Sequence, residues 1–326
     1  MWLLTAVAVL VSGCSKPGSP SGPSGQGTSS TLAFTASPIT TSAIEFVTAL
    51  GQVNPPDHTL PTDHIYFYHR LNHPNAPVYD VVAPAGGTVS AILKGNDDKI
   101  YVSVTSSQTY YLGHVILDSS IRQGTQVAAG QRLGVTSTLS YGLDLGLVNR
   151  SVTQGFINAA RYNDDSLHAD APLKYFDEPL RSTLYGLVTR TGPDKDGEIN
   201  FDRAGRLSGN WFLDGLPVSS STTFGSGPMQ ISFARDARTP ANIIVAIGGT
   251  LSMTGMFGLG AGSPDPADVS AASGLVELPL IAQAFGAASG VMLVQFIDAN
   301  TVRIETFPGA TSGTAGFTGA AKIYRR

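Results

Sequence analysis

Asp194-Lys195-Asp196-Gly197-Glu198 sets carboxylates at alternate positions around a glycine, the residue types of a calcium loop. The register fails. With Gly197 as the sixth loop residue, position one is Gly192 and position twelve is Arg203, and neither ligates calcium as the loop requires. A turn between strands accounts for the same letters. Asp164-Asp165 and Asp177-Glu178 are paired carboxylates, the type that general acid–base chemistry uses. Both pairs fall at expected loops or helix ends, where solvated surface is the reading. No Gly-x-Ser-x-Gly, Walker loop, dinucleotide fingerprint or His-Glu-x-x-His occurs. The single cysteine, Cys14, excludes an internal disulfide framework and a thiolate-rich zinc site. Any metal or acid–base centre must therefore be built from the six histidines and the carboxylates.

The elements that could position such a centre are strands. The chain carries 37 glycines and 20 prolines in 326 residues, with charged residues at 13%. That is too many chain-breakers and too little charge for a long-helix protein, while 42% hydrophobic content argues against wholesale disorder. A net charge of −4 gives no basic footprint, so nucleic acid is not an expected partner.

Between 61 and 147 the pattern is strand, turn, strand. Ile65–Tyr68, Val78–Val82, Thr88–Ile92, Lys99–Thr105 and Thr109–Leu117 are the candidates, and Lys99–Thr105 alternates with period two. Gly95-Asn96-Asp97-Asp98 supplies a hairpin turn. Short strands broken by closely spaced glycines predict a small barrel or sandwich. From Pro172 onward a helical stretch is interrupted by Pro179, predicting two short helices that close a first domain. A second all-β domain is expected from about 185. Its strand candidates are Gly197–Phe201, Asn210–Leu213, Gln230–Ala234, Asn242–Ile247, Leu275–Leu280, Val291–Ile297, Val302–Phe307 and Ala320–Tyr324.

At the N-terminus, Leu3–Val11 is apolar, too short to span a bilayer but suited to a signal peptide, although no Lys or Arg precedes it. Val11-Ser12-Gly13-Cys14 resembles the bacterial lipobox, which implies removal of 1–13 and lipidation of Cys14. Acyl chains add about 0.8 kcal/mol per buried CH₂, a stable membrane anchor. Ser15 follows the cysteine, which by analogy with enterobacterial sorting favours the outer membrane. Residues 14–30 are Gly/Ser/Pro-rich and read as a flexible tether.

The block from Asp80 to Leu147 resembles the LytM (lysostaphin-like) zinc peptidases, which cut peptidoglycan cross-bridges. Three stretches carry the likeness: Asp80-Val81-Val82-Ala83-Pro84-Ala85-Gly86-Gly87-Thr88-Val89; Tyr111-Leu112-Gly113-His114; and Gly124-x-x-Val127-x-x-Gly130-Gln131-x-Leu133-Gly134. The resemblance implies a barrel-sandwich hybrid domain over 31–184. It also implies one zinc held by His, Asp and His, with two further His steadying the water and the oxyanion. Asp80 takes the ligand Asp position and His114 a catalytic His position. The His-x-His strand reads Gly142-Leu143-Asp144, so a glycine replaces one imidazole and a carboxylate the other. Ala76 stands four residues before Asp80, where the first ligand His belongs. His73, His69 and His64 are candidates to replace it, and His64, followed by Ile65-Tyr66-Phe67, looks most like the start of the ligand strand. Residues 69–78 would then be an inserted hairpin, with His58 and Asp63 near enough to join the cluster.

In one reading the centre is a relic. In the other, His64, Asp80 and Asp144 bind zinc with His114 assisting. The lost imidazoles favour the first, since losing one transition-state contact costs about 10²–10³ in rate. In the second domain, 185–326, Gly209-Asn210-Trp211 resembles the Gly-x-Trp of lipocalins, in which the Trp plugs an eight-stranded barrel beneath a late basic residue; Tyr324-Arg325-Arg326 can supply that cation. The fold expectation is mostly β: a LytM-like domain, then an antiparallel barrel or sandwich. The functional expectation is an envelope lipoprotein binding peptidoglycan or an envelope protein, without a cofactor. The alternatives are an active zinc endopeptidase and a carrier of a small apolar ligand in the barrel.

Overall fold

The computed structural model describes residues 31–222, 225–283, 288–311 and 316–326. Cys14, the apolar run before it and the Gly/Ser/Pro tether lie outside the described residues. No helix among the described residues is long and apolar enough to cross a membrane.

The first half is one nine-stranded sheet. Its strands are β1 (Phe46–Thr48), β2 (His64–Tyr68), β3 (Asp80–Val82), β4 (Gly87–Leu93), β5 (Asp98–Ser103), β6 (Gln108–Leu117), β7 (Gln126–Val127), β8 (Arg132–Thr136) and β9 (Gly142–Asn149). The main path runs β1-β2-β9-β6-β5-β4-β7, with β8 beside β6 and β3 beside β8. Alternation on β5 places Ile100 and Val102 in the core and leaves Lys99, Tyr101 and Ser103 less buried, the period the sequence shows. The expected hairpin over 69–78 is a loop without strands. Arg70 ties it, donating to the carbonyls of Ala76 and Pro74.

One register feature sets up the site. β6 follows β9 from Gln108 to Gly113, then leaves it and pairs β8 from Val115 to Leu117. Against β5 the register jumps from Ile100↔Leu112 to Asp98↔Val115, so Gly113 and His114 together oppose Lys99. This is a β-bulge, the device that re-aims a side chain. His114 takes φ 61°, the only positive φ of a non-glycine among the described residues.

The two predicted short helices are a 3₁₀ turn, Pro172–Tyr175, and a helix Leu180–Gly186, separated by Pro179; a shorter helix, Asp164–Leu167, precedes them. The first core does not stop at 184. Val188 and Ile199 belong to it, and backbone bridges tie Val47 to Val188 and Leu50 to Gly197. The calcium-like run is part of this strap: Asp194 Oδ1 accepts the Asp196 N–H, Arg190 pairs with Asp194, and Tyr185 donates to Asp196.

The second half is a closed antiparallel barrel of β10 (Gly209–Leu213), β11 (Gln230–Arg235), β12 (Ile243–Ile247), β13 (Gly255–Leu259), β14 (Leu275–Ala282), β15 (Gly290–Asp298), β16 (Thr301–Pro308) and β17 (Lys322–Arg325). Closure is through Phe212↔Arg325 and Leu213↔Tyr324. Seven of its strands lie on expected segments. The eighth is not Gly197–Phe201, which carries only an isolated bridge, but β13. An eight-stranded barrel is just wide enough for side chains to fill it. Here Trp211, Phe233, Phe257, Met292, Leu278 and Tyr324 belong to one buried cluster. Sheet and barrel share an interface: Val53 packs on Ile244 and Ala246, and the Thr59 hydroxyl donates to the Gly227 carbonyl at 2.8 Å. A Cβ on Gly227 would stand 1.9 Å from the Pro56 carbonyl oxygen, so only glycine allows that approach.

Candidate functional site

β2, β9 and β6 lie side by side, with Tyr66 opposite Asp144 and Asp144 opposite Gly113. Directly paired residues project to one face. His64, Gly146 and Tyr111 form the next row on that face. Both glycines are required by packing. A Cβ on Gly113 would meet Asp144 Oδ2 at 2.5 Å, and one on Gly146 would fall into the Tyr111 ring at 2.0 Å.

Asp144 sits at the centre, its side chain 11% exposed. Its Oδ2 is 3.5 Å from His114 Nε2 and 3.7 Å from His64 Nε2. Its Oδ1 is buried without a hydrogen-bond partner. Each imidazole is held from behind by another carboxylate: His114 Nδ1 is 2.9 Å from Asp97 Oδ2, and His64 Nδ1 is 2.9 Å from Asp63 Oδ1. A carboxylate only accepts, so both Nδ1 atoms carry the proton. The Tyr66 hydroxyl lies 3.0 Å from His64 Nε2. Asp63 also accepts from Tyr111 at 2.5 Å and from Ser166 at 2.7 Å. The result is a chain of alternating acids and imidazoles, Asp97–His114–Asp144–His64–Asp63.

Electrostatics follow from that order. Burial alone would raise the Asp63 carboxyl, but the hydrogen bond and charge of His64, with help from Lys99 and Tyr111, hold it well below the usual range. Burial would lower the His114 imidazole; the Asp144 charge and the Asp97 hydrogen bond outweigh it, and its pKa lies above the ordinary value. His58, whose ring packs on His64 at 5.6 Å, is lowered by burial and by His64. Tyr66 and Tyr111 are pushed well up, first by burial and then by the nearby carboxylate charges, and stay protonated donors.

These shifts predict that His114 titrates above about 6.5 in the folded protein. A raised imidazole stabilises the fold fully below its unfolded pKa, and that contribution fades as pH rises through the folded value. Stability is therefore expected to decline from mildly acidic toward alkaline pH. His114→Asn, which accepts the left-handed backbone, should flatten that decline. Imidazole NMR titration checks the midpoint, and in Asp97→Asn it should move down; a midpoint at or below 6.5 in the parent would refute the assignment.

Sequence and structure part company at two carboxylates. Asp165, read as solvated surface, is 14% exposed and accepts from Lys99 Nζ at 2.8 Å and from Tyr101 at 2.6 Å. It pins the Lys99 ammonium over the Tyr111 ring, 3.7 Å from its centroid. Asp164 beside it is exposed and paired with Arg150, as a surface carboxylate is. Asp80 is the second case. It does not join His64 and Asp144: it stands on edge strand β3, 66% exposed, bonded to Arg132 Nε at 2.7 Å, with Arg132 reaching on to Asp118. Arg132 lies on β8, the strand to which β3 pairs, so the guanidinium meets the carboxylate before any imidazole does.

The zinc site implied by the resemblance needs imidazole, carboxylate and imidazole around one open position. The residues present do not fit it. Ala76 and Gly142 offer no donor, Asp80 is bound to Arg132, and Asp144 lies between two imidazoles. Among the described residues no three His, Cys, Asp or Glu side chains converge to hold a metal ion.

In the barrel, Trp211 is fully buried and its Nε1 donates to the Leu207 carbonyl at 2.7 Å. The cation over its ring comes from Arg326, 4.0 Å from the centroid.

No family model matches the sequence, and no curated protein does. Among solved structures, CbpA from L. salivarius REN aligns at 22% identity over 30% of this chain and 65% of its own, with TM-score 0.23. Csd3 from Helicobacter pylori aligns at 14% identity over 36% of this chain and 33% of its own, with TM-score 0.29. The catalytic domain of the prophage-encoded M23 protein EnpA from Enterococcus faecalis aligns at 16% identity over 36% of this chain and 86% of its own, with TM-score 0.27. The matched part thus spans less than two thirds of the first two.

Proposed function

We propose that the chain is a cell-envelope lipoprotein, anchored through Cys14 and favouring the outer membrane, whose first domain is a LytM-type scaffold turned from cleavage to binding of peptidoglycan or an envelope protein. The observation that carries this reading is the engagement of the two carboxylates at ligand positions: Asp80 is tied to Arg132, and Asp144 lies between His114 and His64. A hydrolase of this type needs an open water site; these contacts take up the side chains that would frame one. The barrel serves as a rigid second body joined through the Thr59–Gly227 contact.

The test is incubation with purified sacculi, with and without added zinc. The reading expects retention of the protein on sedimentation and no release of soluble muropeptides. Chelator-sensitive release that disappears in Asp144→Ala would overturn it. The zinc endopeptidase alternative is favoured by one observation, the buried Asp144 Oδ1 that finds no donor beside two imidazoles. It expects stoichiometric zinc in the purified protein and its loss in Asp144→Ala.

A further inference from the structure

A second feature lies beside β3, away from the acid–imidazole chain. Val82 donates to the Pro38 carbonyl at 2.9 Å and Thr35 to the Pro84 carbonyl at 2.9 Å, so the segment before β1 runs along the outer edge of the sheet. Between the two is an open cavity of about 480 Å³ lined by Ser37, Ile39, Thr40, Thr41, Tyr79, Asp80 and Val82. That size is within the range of small-molecule sites, roughly 300–1,000 Å³.

The wall chemistry is selective. Four of its residues carry hydroxyls: Ser37, Thr40, Thr41 and Tyr79. The Ser37 hydroxyl is buried in this wall and has no hydrogen-bond partner. Ile39, Val82 and the Tyr79 ring give apolar surface beside those hydroxyls. Asp80 is the sole charged residue of the lining, and Arg132 already neutralises it. A phosphate or a free ammonium would find no uncommitted counter-charge. A pyranose matches every feature, with hydroxyls for the polar wall and a flat C–H face for the ring and aliphatic side chains. The Asp80 carboxylate, bonded to Arg132 through Oδ1, keeps acceptor capacity for a sugar hydroxyl.

We propose that this cavity is a binding site for a neutral carbohydrate, a segment of glycan strand. The proposal rests on the binding reading above and names the chemical class that the first domain contacts.

The experiment is an amide NMR titration of the full chain with the β-1,4-linked tetramer of N-acetylglucosamine. Saturable shifts are expected at residues 37–41 and 79–82, with a dissociation constant of about 0.1–1 mM, the weak range of an open polar site. Tyr79→Ala should weaken binding about tenfold or more, one 1.4 kcal/mol step. Asp80→Asn, which keeps the side-chain shape, should weaken it while leaving the amide spectrum folded. Absence of saturable shifts at these residues up to about 10 mM sugar, or shifts confined to the Asp144 face, would overturn the proposal. Sacculus retention without tetramer binding defeats the cavity assignment alone; tetramer binding without sacculus retention supports the cavity and defeats the larger reading.

Discussion

Asp63→Ala is expected to destabilise the first domain by about 3–5 kcal/mol, the range for breaking a buried ion pair by removing one member. The carboxylate is 14% exposed and is the common acceptor for His64 Nδ1, the Tyr111 hydroxyl and the Ser166 hydroxyl. Alanine leaves all three donors buried and facing a void. The effect spreads because each donor comes from a different element: His64 opens β2, Tyr111 is mid-β6, and Ser166 lies in the helix Asp164–Leu167. Asp63→Asn keeps the volume and one acceptor oxygen, so a smaller loss is expected, about 1–3 kcal/mol for a buried group left partly unpaired.

The pH dependence separates a charge effect from a shape effect. The Asp63 carboxyl is depressed in the fold, so its stabilisation is present above the unfolded value and is lost as pH falls toward the folded one. Urea titrations of parent and Asp63→Asn should therefore differ most near neutrality, and the gap should begin to narrow below about pH 4. A constant gap from pH 7 to pH 3 would show that the carboxylate charge contributes nothing.

Asp63 also marks the limit of what the sequence reveals. It was legible as a neighbour of His64, one residue away. Its bond to Ser166 spans 103 residues, and that of Lys99 to Asp165 spans 66. No local periodicity encodes a pairing of that range, so Asp165 reads as surface and Ser166 is not singled out. The strands fared better because alternation is local: Lys99–Thr105 shows its buried face directly, and β5 ends within two residues of that segment. β13 was missed for the opposite reason. Gly255-Met256-Phe257-Gly258-Leu259 has two glycines in five positions, and glycine weakens a strand pattern.

The centre itself was partly legible. His114 and Asp144 stand at motif positions, His64 is the candidate that replaces the imidazole missing at Ala76, and the three lie together. Asp97 was read as a hairpin-turn residue, and it holds the His114 ring. What joins them is the bulge at Gly113–His114, a register jump that shows only when β5 and β6 are aligned. Asp80 was grouped with them through a family pattern; its actual partner, Arg132, was decided by the pairing of β3 with β8.

Trp211→Ala is expected to cost the barrel about 3–5 kcal/mol through the cavity it leaves, with a further 0.5–2 kcal/mol or so from the lost ring–cation contact. The indole is fully buried, meets Phe296 edge-on at 5.9 Å and lies under Arg326 at 4.0 Å. Arg326 has no carboxylate within bonding reach among its described contacts. It donates to the carbonyls of Arg203, Leu207 and Ser208, and burial pushes its guanidinium down to about 10, still charged at neutral pH. The ring and three carbonyl dipoles, with the charge of Asp202 nearby, therefore stand in for the solvation of that buried cation. Deleting the ring creates a void and also strips one side of the charge. Trp211→Phe tests the division. It restores most of the ring face but no donor for the Leu207 carbonyl, which receives Nε1–H at 2.7 Å. A loss of about 1–2 kcal/mol is expected there, one neutral hydrogen bond plus a small volume change. Arg326→Met, which removes the charge but keeps an apolar stem over the ring, should cost less than Trp211→Ala, because no buried cation is left behind. Denaturation followed by far-ultraviolet circular dichroism orders the three. If Arg326→Met proved the most damaging, the cation would be holding the indole in place, and the dependence argued here would be inverted.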